Sequence, residues 1–174
     1  MRYPRRRTKG SALAEFGPAL FIILIVIMYP MIDFLYMACG YCYGWYLNHL
    51  VVRNVATVDP TNAAAVGTAV SQATNAWASV CMAEAIMGGA ARCNPQNTVE
   101  FVLINTTTET ITGTSGVPAP APTTTTAVGY ANVSTQVTVS PLLPIPWVGP
   151  APGINQPITF AYRDQRPQEE KGYK

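Results

Sequence analysis

The residue best placed to do chemistry is Glu15, in RRRTKGSALAEFGPALFIILIVIMYPMIDF, a carboxylate set just inside an otherwise apolar run. An ionisable group in hydrocarbon costs on the order of 2.5 to 3.5 kcal/mol even on a lenient insertion scale, so Glu15 asks for a partner. Cysteines are the next candidates. Cys39 and Cys42 fall on one side of a helix, but no second ligand pair has matching spacing, no βαβ pattern surrounds them and no His follows as haem attachment requires. They read as small apolar packing residues. Cys81 and Cys93 stand late in one helix and just after it, where a disulfide would staple that helix to the chain entering the first strand; two buried thiols are the alternative. The one histidine, His49, lies among Leu47, Asn48 and Leu50 and reads as a solvated or interfacial side chain. Glu84, Glu100 and Glu109 are scattered, and the chain holds no GxSxG, no HExxH and no phosphate-cradling Gly loop. This inventory points to no enzyme, no metal and no cofactor.

The element that must position Glu15 is a membrane helix. Seventeen uncharged residues separate it from Asp33, the short end of what spans a bilayer, and SALA before and FLYMACGYCYGWYL after lengthen the low-charge stretch. Five of the eleven basic residues lie in the first ten positions; Arg5, Arg6, Arg7 and Lys9 beside an apolar span hold the amino terminus on the cytoplasmic side. Everything after the span is then extracytoplasmic, where disulfides are permitted. A cleaved secretory signal shares these features, but the small-residue site near Ala38 follows too long a core and has Tyr36 where a small residue is needed. The remaining six basic residues are outnumbered by nine acidic ones, and the body has no basic stripe for phosphates, which argues against nucleic acid. Pro18 and Pro30 bend the helix, and Tyr36, Tyr41, Tyr43, Trp45 and Tyr46 fall where an interfacial belt belongs. A helix over residues 11–58 would be roughly 70 Å long and would protrude as a stalk.

Basic cluster, Gly10, the small residue Ser11, Glu15 at the fifth place after that Gly, aromatic Phe16 and then a long apolar helix together resemble the amino terminus of type IV pilin-like proteins. The closer resemblance is to the tight-adherence (TadE-like) pseudopilins, over RTKGSALAEFGPALFIILIVIMYPMIDFLYMACGYCYGWYLNHLVVRNVA, about a third of the chain, including Asp33, Arg53 and Ala56. That resemblance implies a prepilin peptidase cutting after Gly10, Ser11 as the new amino terminus, and Glu15 pairing with the terminal ammonium of a neighbouring subunit. Such pairing turns two costly groups into one neutral pair. Ser11 in place of a bulky apolar residue, Pro18 so early and Phe16 in place of Tyr depart from the pattern of major pilins.

Downstream, Asp59 and Pro60 look like an N-cap and first helical residue, opening an Ala-rich helix with Val66, Val70, Ala73, Trp77 and Val80 on one stripe and an end near Gly88 and Gly89. TVEFVLIN reads as a strand apolar on both faces; TTTETITGTSGVPAPAPTTTT as an exposed loop. YANVSTQVTVS alternates, with Ala131, Val133, Val137 and Val139 on one face, and ITFAYR repeats the signal with Ile158, Phe160 and Tyr162. Between them PLLPIPWVGPAPGINQP carries six prolines along with Leu142, Leu143, Ile145, Trp147 and Val148, as cover for the core or as a contact patch. Gly40 and Gly44 have the spacing that allows close helix approach.

The expected architecture is α+β: a basic cytoplasmic leader (1–10), a transmembrane and stalk helix (11–58), an extracytoplasmic pilin-like domain (59–163) of one helix on an antiparallel sheet of about three strands, and a charged tail (164–174). Within the domain, 106–126 is a Thr/Pro-rich loop and 141–157 a Pro-rich loop. The expected role is a minor pseudopilin of a bacterial tight-adherence (Flp-type) pilus or related machine, single-pass in the inner membrane. Its partners would be other pilin or pseudopilin subunits, the prepilin peptidase, the inner-membrane assembly platform and lipid. The competing reading is a bitopic envelope protein whose outer domain binds a ligand or partner without filament assembly.

Overall fold

The computed structural model describes residues 11–79, 95–114, 127–143, 149–152 and 155–168. A helical rod comes first: α1 (Ser11–Ile23), a π turn (Leu24–Met28) and α2 (Tyr29–Ala56). The π turn sits just ahead of Pro30, which has no N–H to donate and whose ring crowds the carbonyl of Val26; widening the helix there relieves that clash. Phe16–Ala56 is long and apolar enough to cross a membrane.

One buried stripe runs along α2. Asp33, Tyr36, Met37, Gly40, Gly44, Leu47, Asn48, Val51, Val52, Val55 and Ala56 recur every three or four residues and are buried. That is the period of one helix face, so α2 is the spine of the core rather than a bare stalk. Two of the five aromatics expected in an interfacial belt belong to this packing: Tyr36 is buried and Tyr43 packs against the core, while Tyr41, Trp45 and Tyr46 stay exposed.

α3 (Ala63–Ala78) folds back along α2. Asn54 Nδ2 reaches the Ala69 carbonyl at 3.5 Å and Trp77 Nε1 reaches the Tyr43 carbonyl at 3.1 Å, so the two helices run antiparallel. The N-cap is Asn62, whose side chain accepts from the Ala65 N–H, and not Asp59. Asp59 Oδ1 instead accepts from the Thr61 N–H at 2.9 Å and from its hydroxyl at 2.7 Å, closing the turn between helices and leaving Pro60 outside α3. The helix stops at Ala78, with Ser79 as C-cap, about ten residues short of the expected glycines. Val66, Ala73 and Trp77 are buried and Val70 half-buried, as the stripe required; Val80 lies outside the described residues.

An antiparallel sheet lies across the helices. Its three long strands are β1 (Gln96–Asn105), β3 (Ala127–Val139) and β4 (Ile158–Pro167), and a short β2 (Ile111–Thr114) adds an edge, giving the order β2-β1-β3-β4. β2 falls inside the stretch read as loop, because its partners Phe101 to Ile104 supply the ladder that its Thr and Gly content did not advertise. The turn before it is built on Asn105, whose side chain accepts from the Thr107 and Thr108 N–H groups, with Glu109 at φ 52. In β1 Phe101 is buried, and Val99, Val102, Leu103 and Ile104 are half-buried on the two faces. In β3 Ala131, Val133, Val137 and Val139 are buried together, with Thr135 among them. β4 continues through Asp164 to Pro167, paired with Tyr130 to Val133, so the charged tail begins later than the sequence suggests.

Contacts along β4 fix the sheet's direction on the rod. The Phe160 ring meets Tyr41, Tyr162 reaches Tyr41 and Gly44, and Asp164 reaches His49. Each step of two residues in β4 matches a step of roughly one helical turn in α2. The Val139↔Ile158 end of the sheet therefore lies toward Asp33, and the Asn105↔Ala127 end lies away from it.

Candidate functional site

Gly10, Arg5, Arg6, Arg7, Lys9, Glu84, Cys81 and Cys93 lie outside the described residues, and the expected disulfide with them. Ser11 and Glu15 sit in the first turns of α1, whose backbone is helical through both. What is described around them is an apolar surface. Phe16, Leu20, Phe21, Ile22, Ile23, Leu24, Val26, Ile27, Met28 and Met31 are all exposed, on every side of the rod. From Phe16 to Asp33 this bare length is about 25 Å, close to the hydrocarbon thickness of a bilayer.

Asp33 ends it. The side chain is 1% exposed and its Oδ1 accepts the Leu143 N–H at 3.1 Å, tying the β3–β4 connection to the rod. Its Oδ2 is buried without a hydrogen-bond partner among the described residues. The spacing to Glu15 had marked Asp33 only as the end of an apolar run; nothing local to it in sequence announces a partner 110 residues away.

Above Asp33 the sheet comes very close to the helix. At Gly44 a Cβ would stand 2.5–2.7 Å from three atoms of the Tyr162 ring, so glycine is what admits the ring. Tyr162 then donates its hydroxyl to the Tyr41 carbonyl at 2.9 Å, and Trp77 donates to the Tyr43 carbonyl on the neighbouring stretch of helix. Burial, with smaller contributions from Tyr41 and Cys42 nearby, pushes the Tyr162 phenol well above its ordinary range. Gly44 thus receives a residue of β4. The bonds linking Asn97 to the Thr135 hydroxyl (2.8 Å) and to Thr74 (3.4 Å) join the sheet to α3 in the same layer.

Outward, His49 stacks on Trp45 with ring centroids 5.6 Å apart and its Nδ1 lies 3.5 Å from Asp164 Oδ2. Cys39 and Cys42 are free thiols, Cys42 exposed and Cys39 half-buried, so Cys42 does not serve the packing role expected of it. Among the described residues no group of three His, Cys, Asp or Glu side chains is placed to hold a metal ion. No family model matches the chain, and neither does any curated protein or solved structure. The molecule's most distinctive feature is therefore a surface: an apolar rod, bare below Asp33 and clad above it.

Proposed function

We propose that the chain is a minor pseudopilin, a non-enzymatic subunit that is held in a membrane by the bare half of its rod and enters, initiates or caps a type IV pilus-like filament of the tight-adherence kind. One observation carries this reading: a single helix whose first half is apolar all round and unaccompanied, while its second half bears an α+β head. A helix apolar on every side is stable in lipid or among other apolar helices, and the same surface serves both before and after assembly. Glu15 on that surface would pair with the amino terminus of a neighbouring subunit, created by a prepilin peptidase cutting between Gly10 and Ser11, with the basic leader on the cytoplasmic side and the head outside.

Mass spectrometry of the chain purified from its native host tests the processing step. The reading expects a mature start at Ser11; an intact Met1 start, or a start far from Ser11, overturns cleavage. A second reading, a bitopic anchor whose head works alone, draws on the exposed Leu142 and Leu143 of the Pro-rich connection, a patch that the core does not use. Adjacent genes for a secretion ATPase, a platform protein and a prepilin peptidase favour assembly, and their absence favours the lone anchor.

A further inference from the structure

The β3–β4 connection has features that core cover does not require. Leu142 and Leu143 are 39% and 38% exposed, and across from them the rod presents Met31, Phe34 and Leu35, each about two-thirds exposed. The Asp33 bond to the Leu143 N–H fixes these leucines at the level where the bare span ends. No charged residue occurs between Glu109 and Arg163.

Among the described residues, several backbone donors of this connection are removed or satisfied within the chain. Pro141, Pro150, Pro152 and Pro157 have no N–H. The Leu143 N–H goes to Asp33, the Ala151 N–H to Asn155 Oδ1 at 2.8 Å, and the Asn155 and Gln156 N–H groups to the Ala151 carbonyl, while Asn155 Nδ2 returns to the Gly149 carbonyl. Irregular backbone approaches lipid only where its polar groups are internally met, because hydrocarbon offers them nothing. By contrast the turn at the far end of the sheet, 106–110, is four threonines and Glu109, followed by Ile111 in β2.

From these observations we infer that the β3–β4 connection is a second membrane contact: held by Asp33, it rests in the interfacial layer of the leaflet at that end of the span, with Leu142 and Leu143 turned to lipid. The inference rests on the membrane reading of the rod. A head docked in this way has one depth and one tilt relative to the bilayer, which a lone helix would leave free.

The test uses the full chain in vesicles of phosphatidylcholine with a minority of phosphatidylglycerol, doped with a phospholipid that carries a diazirine near the headgroup end of its acyl chain. After photolysis, adducts are mapped by mass spectrometry. Adducts on Phe16 to Met31 report the span, and adducts on Leu142 and Leu143 report the proposed contact. Asp33→Ala removes the charged acceptor and should lower the Leu142 and Leu143 adducts about tenfold while the span keeps its own. Leu142→Asn with Leu143→Asn, which leaves Asp33 in place, should lower adducts across the connection likewise. Span adducts with a connection that stays unlabelled overturn the inference and leave the membrane reading standing. A span without adducts overturns the membrane reading, and a connection that cross-links to a second copy of the chain instead of to lipid overturns the inference.

Discussion

Two halves of one rod differ in composition and have opposite fates. Phe16–Met31 is rich in Leu, Ile and Phe and largely exposed on every side; Asp33–Ala56 interleaves its large residues with Gly40, Gly44, Asn48 and Asp33 and is clad along one face. The difference lies in what those residues permit. Glycine lets a ring approach the helix backbone, and a buried carboxylate gives a loop N–H somewhere to go. A helix without such fittings has no face that prefers protein over lipid, and the half the head covers is also the less hydrophobic one.

The sharpest way to break that contrast is to make the same substitution in each half. Leu47 is fully buried and Leu20 about half exposed. Leu47→Ala should destabilise the head by about 2–5 kcal/mol, the loss of a buried side chain plus the cavity it leaves. Leu20→Ala should change head stability by no more than about 0.5 kcal/mol, since exposed substitutions act weakly. Chemical denaturation in detergent micelles reads both, and equal effects would erase the distinction.

Gly44→Ala comes next. Its methyl would press into the Tyr162 ring. Overpacking costs about 1–3 kcal/mol and the gain in helix propensity returns about 1 kcal/mol, so the expected net effect is a loss. Pairing it with Tyr162→Leu should remove most of the penalty, which a double-mutant cycle measures. A smaller effect concerns the hydroxyl: Tyr162→Phe gives up the bond to the Tyr41 carbonyl, worth about 0.5–1.5 kcal/mol. The phenol is harder to ionise in the folded head than in the unfolded chain. Its protonated form is therefore favoured by folding; the associated stability is intact below about pH 10 and declines as pH rises above it. Tyr162→Phe should lessen that alkaline decline in a pH series of denaturation midpoints.

Much of the fold could be read from periodicity. The alternation in YANVSTQVTVS placed Ala131, Val133, Val137 and Val139 on one buried face, and the stripe through Val66, Ala73 and Trp77 placed α3 on the core. Where the structure departs from the sequence pattern, either neighbouring side chains competed for one role or the deciding interaction was non-local. Asp59 and Pro60 have the types of a helix start, yet Asn62, three residues before Ala65, was free to cap and Asp59 was taken by Thr61. β2 exists because β1 offers an edge, which no property of ITGT reveals. The apolar run gave no sign of where the head begins to clad it, since Gly44 and Tyr162 are 118 positions apart in sequence and Asp33 and Leu143 nearly as far. The apolar span was legible, because seventeen uncharged residues in a row are conspicuous without any partner in view.

Glu15→Ala tests the central claim most directly. In the native host, the chain is quantified in sheared filaments and in the membrane fraction. The account predicts a variant that inserts into the membrane like the wild type and is lost from filaments; a variant recovered in filaments at the wild-type level would contradict it.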